Sequence, residues 1–163
     1  MNKILRKIIF LLMITGRMRT RYINRHKNLF HHVGENLLWQ AMKFPDQPEL
    51  ISIGDNVKIT ADVTFVNHDV FHCLFDKGEV PYYQGCIRIG NNVVIGTKVI
   101  ILPNVKIGNN VVIGAGSVVS KDLDSNGVYA GVPAKLIGSF EEFMNKRKLL
   151  IERDFSYLWD EFK

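Results

Sequence analysis

The stretch IGNNVVIGTKVIILPNVKIGNNVVIGAGSVVSKD, residues 89–122, keeps a six-residue beat. Ile89, Ile95, Ile101, Ile107, Ile113 and Val119 are all β-branched aliphatics, and Val93, Val99, Val105 and Val111 stand four residues after the first four of them. Glycine follows the aliphatic at Gly90, Gly96, Gly108 and Gly114. This period is neither the roughly 3.6 of a helix nor the alternation of a hairpin strand. It fits short flat strands joined by tight corners, each strand sending one large aliphatic into a stacked core. Asn91, Asn92, Asn104, Asn109 and Asn110 fall at the corners, where Asn and Gly tolerate positive φ. Working outward, the beat begins at Ile53, Ile59 and Phe65, with Val57 and Val63 on the intermediate row; it stops over residues 66–86 and resumes at Ile87–Ile89. The pattern predicts a mainly β chain, a β-helix solenoid with one long inserted loop.

The 163 residues suffice for one domain with short appendages. A hydrophobic content of 47% with 23% charged residues argues against disorder. The net charge of +5 is unevenly held. Residues 1–28 carry Lys3, Arg6, Lys7, Arg17, Arg19, Arg21, Arg25 and Lys27 and no acid, which leaves 13 basic against 16 acidic residues elsewhere. The basicity thus belongs to an arm and not to the body, and this weighs against nucleic-acid binding. Cys73 and Cys86 form neither a disulfide framework nor metal-type spacing, and read as reduced thiols of a cytoplasmic protein. The apolar run Ile8–Ile14 is short of the roughly 20 residues that span a bilayer. No small-x-small cleavage site follows it before Arg17, Arg19 and Arg21.

Residues 1–28 read as a basic amphipathic helix that packs on the solenoid or on a neighbouring subunit; the alternative is attachment to an anionic membrane surface. Residues 29–45 read as a second, less regular helical piece containing Trp39, before Pro45 and Pro48 interrupt. The organisation is then a helical arm over 1–48, a solenoid over 49–138 with loop 66–86 inserted, and a C-terminal helix over 139–163. Ser139 and Glu142 have capping-box spacing, and Phe143, Leu150, Phe155, Leu158 and Trp159 follow a helical pattern. Such a helix is expected to cover the open end of the solenoid core.

Residues 87–138 resemble the hexapeptide-repeat acyltransferases. The passages that carry the resemblance are residues 89–122, quoted above, and AGVPAKLIG, residues 130–138. IGAGSVVSKD followed by GVPAK is similar to the acetyl-CoA-using branch, which includes sugar, polysaccharide and xenobiotic O-acetyltransferases. The resemblance implies a left-handed parallel β-helix, the hand resting on the resemblance alone. It also implies homotrimers with active sites in clefts between neighbouring subunits, and acetyl-CoA stretched along the coils as co-substrate. A catalytic histidine is implied in or beside a loop that interrupts the repeats.

By that resemblance His68, in Asn67-His68-Asp69 where the beat stops, matches the catalytic histidine. An alcohol attacking a thioester needs a general base, and imidazole suits that task near neutral pH. Asp69 is the candidate to orient the ring. Asn67, His72, Tyr82 and Tyr83 are candidates to contact the acceptor. His68 and His72 also have metal-ligand spacing, but no third ligand stands at a plausible place, so no metal is expected. The resemblance marks Thr97 and Ala115, 18 residues apart, for the pantetheine arm of the cofactor. It marks Ser120 and Lys121 for its adenosine portion and Lys135 for its phosphates. Gly96 is the candidate backbone donor to the oxyanion. Ser117 falls on the inward row and belongs to the core. Val94, Val132 and Gly138 depart from the Trp, Asn and basic residue common in relatives, which bears on affinity and acyl choice rather than on class.

The function this implies is acetyl-CoA-dependent O-acetylation of a sugar or saccharide hydroxyl by direct transfer, in polysaccharide biosynthesis. An amino-sugar N-acetyltransferase of the same fold and a non-catalytic β-helix scaffold are the alternatives. A cytoplasmic location is expected, with the arm as the part that would meet the inner face of a membrane.

Overall fold

A computed structural model describes residues 3–151. Two helices, α1 (Lys3–Leu11) and α2 (Gly16–Arg25), open the chain. Short strands follow: β1 (His32–Val33), β2 (Leu38–Trp39), β3 (Ile51–Ile53), β4 (Lys58–Ile59), β5 (Thr64–Phe65) and β6 (Ile87–Ile89). They continue as β7 (Val93–Ile95), β8 (Ile100–Ile101), β9 (Lys106–Ile107), β10 (Val111–Ile113), β11 (Val118–Val119), β12 (Gly127–Ala130) and β13 (Lys135–Ser139), before helix α3 (Phe140–Ile151).

From β1 to β12 all pairings are parallel, and they build three sheets. Sheet A is β1-β3-β6-β9, sheet B is β2-β4-β7-β10-β12-β13, and sheet C is β5-β8-β11. From β3 to β11 the chain visits A, B and C in turn, so that the strands wind into a three-faced coil. Val93 pairs with Val111 and Ile95 with Ile113, one turn of three hexads later. Ile53 pairs with Ile89 and Phe65 with Ile101 across the interruption, which shows residues 66–86 looped out of a single turn.

The six-residue row fills the inside. Ile53, Ile59, Ile89, Ile95, Ile101, Ile107, Ile113 and Val119 are buried, as are Val57, Val63, Val93, Val99, Val105 and Val111 of the intermediate row. β-Branched side chains are stiff and pack well on a pleated surface, so each strand brings one to the interior at little entropic cost. Ser117 takes the same row as a buried polar member: its Oγ donates to Gly114 O at 2.7 Å and accepts from Gly131 N at 3.1 Å.

The corner between sheets A and B holds two ladders. Asn36, Asn56, Asn92, Asn110 and Asn126 all have left-handed backbone, with φ between 54° and 65°. Each Nδ2 donates to Oδ1 of the next, at 2.8–2.9 Å. Beside them Asp55, Asn91, Asn109 and Ser125 each accept a backbone N–H of the preceding turn at 2.7–2.9 Å. Asn91 and Asn109, expected at positive φ, therefore serve as acceptors, and their neighbours Asn92 and Asn110 carry the strained backbone. Turns stack so closely here that a Cβ on Gly90 would lie 2.5 Å from Asn109 Oδ1 and 2.7 Å from Gly108 O. Replacing Asn92 with alanine removes two ladder bonds and puts Ala at φ 56°. A loss of about 2 kcal/mol is expected. Glycine at the same place should recover about half of it, because it relieves only the backbone; urea unfolding of the two variants checks this.

Three sequence expectations are corrected. Residues 29–45 are not helical. Apart from a 3₁₀ turn at Lys27–Leu29, they contribute β1 and β2, which pair with β3 and β4, so coil pairing begins well before residue 49. Val33 and Trp39 keep the six-residue spacing, but the step from Val33 to Ile53 is 20 residues, and the extra length around Pro45 and Pro48 hides the phase. The described part of the arm forms two helices rather than one, parted where Thr15 caps α2 by accepting from Met18 N at 3.3 Å. Thr20 of α2 then covers the free edge of β2: its Oγ1 accepts from Trp39 N at 2.8 Å and donates to Trp39 O at 3.1 Å.

At the other end, the edge of β12 is taken by antiparallel β13 rather than by the helix. Ser139 does cap α3, accepting from Glu142 N at 3.2 Å, but through Leu149 only Phe140 and Phe143 are half-buried. Phe155, Leu158 and Trp159 lie outside the described residues.

Candidate active site

Loop 66–86 leaves the corner between sheets C and A, and its neck is tied. His68 and Gln84 form an antiparallel bridge. Gly85 N donates to Asn67 O at 2.7 Å, and Asn67 Nδ2 donates to Gly85 O at 3.1 Å. Asn67 is buried by this pairing, and His68 is held half-buried beside it. Beyond the neck, Phe71–Leu74 makes a 3₁₀ turn that Asp69 starts by accepting Phe71 N–H at 3.1 Å.

The Tyr82 ring stands between two imidazoles. Its centroid is 5.5 Å from His68, tilted by 37°, and 5.1 Å from His72, edge-on at 87°. Tyr83 is tied down, its hydroxyl accepting from Asn104 Nδ2 at 2.6 Å. Asn67 Oδ1, His68 Nδ1 and His72 Nδ1 are buried and have no hydrogen-bond partner among the described residues. Buried polar atoms are rarely left so, and three within six residues single out this loop as the candidate site. The expected orienting bond from Asp69 to His68 is not formed: the carboxylate serves the 3₁₀ turn, and the ring packs on Tyr82 instead. Cys73 and Cys86 are free thiols. Among the described residues no three His, Cys, Asp or Glu side chains converge as metal ligands.

A second cluster occupies the corner between sheets B and C. Gly96, Thr97 and Ala115 lie together there, as their spacing implied: Gly116 N donates to Thr97 O at 2.8 Å. Gly96 cannot donate to an oxyanion, because its N–H is spent on Ile113 O at 2.8 Å. The N–H groups of Thr97 and Ala115 have no partner among the described residues. Ala115 and Gly116 are exposed, and a side chain on Gly116 would meet only open space. Thr60, which sequence reading passed over, belongs to this corner: its Oγ1 donates to Ile95 O at 2.8 Å and lies 3.3 Å from Thr97 Oγ1. Its signal was its place at the same corner of the preceding turn, masked by the inserted loop.

The remaining cofactor candidates stand apart. Ser120 and Lys121 are exposed at the corner between sheets C and A, past β11. Lys135 opens β13, opposite Ala130, and is exposed. A single chain therefore brings Asn67, His68, His72 and Tyr82 together, and Thr97 with Ala115, but sets the two clusters on opposite edges of sheet C.

The family described as bacterial transferase hexapeptide (six repeats) matches residues 86–121. Protein CapG of Staphylococcus aureus is 45% identical over 130 residues, covering 74% of this chain and 75% of that protein. Galactoside O-acetyltransferase of Escherichia coli is 40% identical over 108 residues, 65% of this chain, and the match spans about half of that protein's length, 52%. A solved galactoside acetyltransferase in complex with coenzyme A superposes with a TM-score of 0.59 at 34% identity, covering 88% of this chain and 83% of that one. With the six-residue beat in the sequence, its parallel register in three dimensions and these likenesses, the chain belongs to the hexapeptide-repeat acetyltransferase family.

Proposed function

We propose that this chain is an acetyl-CoA-dependent O-acetyltransferase that moves an acetyl group onto a hydroxyl of a sugar or saccharide. The observation that carries the reading is the His68 imidazole, pinned at the loop neck against Tyr82 with its Nδ1 buried. That leaves Nε2 to meet the acceptor. The acceptor oxygen attacks the thioester carbonyl as His68 Nε2 takes its proton. The carbon–sulfur bond then breaks, and the departing thiolate recovers that proton from the imidazolium. Negative charge gathers on the carbonyl oxygen in between, and an unspent backbone N–H at Thr97 or Ala115 is placed to receive it. Small residues at Thr97, Ala115 and Gly116 leave a shelf suited to a pantetheine arm, with Ser120, Lys121 and Lys135 for the nucleotide end.

A homotrimer completes this site. Thr97 lies where the strands of sheet C begin and His68 where they end, at different corners of the coil, whereas a general base must reach hydrogen-bond distance of its proton. A second copy, wound left-handed like the first, brings the base of one chain to the shelf of the next. The unpaired atoms of Asn67 and His72 and the exposed aromatics Phe71, Phe75, Tyr82 and Tyr83 then border the acceptor cleft beside His68 Nε2. The enzyme works in the cytoplasm, where acetyl-CoA is made, on saccharides bound for polysaccharide.

Thiol release from acetyl-CoA across a panel of saccharides tests the reading. Release that requires one of the hydroxyl acceptors is expected. Release only with amino sugars, with a steep pH dependence from the amine, would make it an N-acetyltransferase. No release and no coenzyme A binding would leave a scaffold.

A further inference from the structure

We propose that the outward face of α1 and the arginine row of α2 dock this protein on an anionic lipid bilayer. Helix α1 is turned the unusual way round. A surface helix normally gives its apolar stripe to the core. Here Phe10 alone plugs fully into the body, edge-on to Tyr22 at 5.7 Å and Phe44 at 5.2 Å. The charged Arg6 and Lys7 also turn to the body, Arg6 over the Phe44 ring at 6.0 Å and Lys7 in an ion pair with Asp46. The aliphatic stripe is left outside: Leu5, Ile8, Leu11 and Leu12 are 50–71% exposed, and Ile14 and Met18 in the following turn are 89% and 47% exposed.

Exposed cations follow this stripe in the sequence, on α2. Arg17, Arg21 and Arg25 recur every fourth residue along α2, so they share one helix face; all three are exposed and none pairs with a described residue. Residues 1–28 contain eight basic groups and no acid. Two arms meeting face to face would therefore bring like charges together. The body of another copy, with 13 basic and 16 acidic residues beyond residue 28, offers only a near balance of charge. The exposed stripe is aliphatic apart from Met18 and holds no aromatic ring, whereas the cores of protein–protein interfaces are enriched in aromatics along with Met and Arg. A bilayer with anionic headgroups supplies an apolar layer for the stripe and negative charge for the arginines at once. No described helix is long and apolar enough to cross a membrane, so the contact is with the surface.

The full chain is to be sedimented with vesicles of phosphatidylcholine alone and with vesicles containing phosphatidylglycerol, at low and high salt. Binding to the anionic vesicles only, weakened by salt, is expected. Arg17→Gln, Arg21→Gln and Arg25→Gln together should lower partitioning by about 100-fold, at roughly fivefold per charge. Ile8→Asp with Leu12→Asp should abolish it, while molecular mass by light scattering and the far-ultraviolet circular dichroism stay as in the wild type. Two results would overturn the proposal. One is no binding, or equal salt-independent binding to both vesicles, by the wild-type chain. The other is a fall in molecular mass in the Ile8→Asp/Leu12→Asp variant, which would seat the stripe on a second copy. If that variant fails to fold, the arginine variant decides, since it leaves every apolar contact in place.

Discussion

Replacing His68 with alanine is expected to lower acetyl transfer by roughly 100- to 10,000-fold, the range for a lost general base. The loss should fall on kcat and on kcat/KM alike, with KM for acetyl-CoA little changed, because the proton is taken only in the transition state. The shelf proposed for the thioester, at Thr97 and Ala115, lies at another corner of the coil from His68 within one chain. The fold should tolerate the change. His68 meets Gln84 through backbone, the neck is held by Asn67 and Gly85, and the Tyr82 ring keeps its edge-on contact with His72. An unchanged melting temperature with a collapsed rate would place the base at His68. A rate within threefold of wild type would remove His68 from the chemistry and leave the loop as an acceptor-shaping element. Asp69→Asn makes the control: its Oδ1 accepts only the Phe71 N–H, so a small effect on rate is expected, where an orienting carboxylate would have cost far more.

Trp39→Ala should be the most destabilising of the substitutions considered, by about 3–5 kcal/mol. Trp39 is fully buried and closes the N-terminal end of the coil. Its ring stacks on Phe65 at 5.4 Å and 23°, and Phe30 meets it edge-on at 5.9 Å. Its Nε1 donates to Ala41 O at 3.1 Å. Removing the ring opens a large apolar void between the first and second turns and leaves the Ala41 carbonyl without its donor. The void cannot collapse easily, since strand pairing holds both turns in register: Trp39 opposite Ile59, and Phe65 opposite Ile101. Urea unfolding reads the effect. A cost under 1 kcal/mol would mean that β2 and the arm fray independently of the coil, and would show as a second, earlier transition.

The coil from Ile53 to Val119 and the place of the inserted loop are legible in the order of residues, and the family resemblance adds the candidacy of His68. A six-residue beat is a local property: each hexad repeats the same steric demand, one β-branched residue in and one tight corner out. The first turn escaped because Val33 and Trp39 are separated from the rest by a longer step, and a period is legible only while its phase is kept.

What depends on the neighbouring turn, 18 or more residues away, is set when the coil is wound. Whether Gly96 keeps a free N–H turns on Ile113 O, and which asparagine of each corner pair bears positive φ turns on the ladder it joins. Asp69 was adjacent to His68 in sequence and still turned to Phe71, because a 3₁₀ turn offered its carboxylate a nearer donor. The arm makes the same point: its composition foretold an amphipathic helix, but which face meets the body was set by the pocket that Tyr22 and Phe44 offer Phe10. That choice turned the aliphatic stripe outward, and amino-acid order alone carries no record of it.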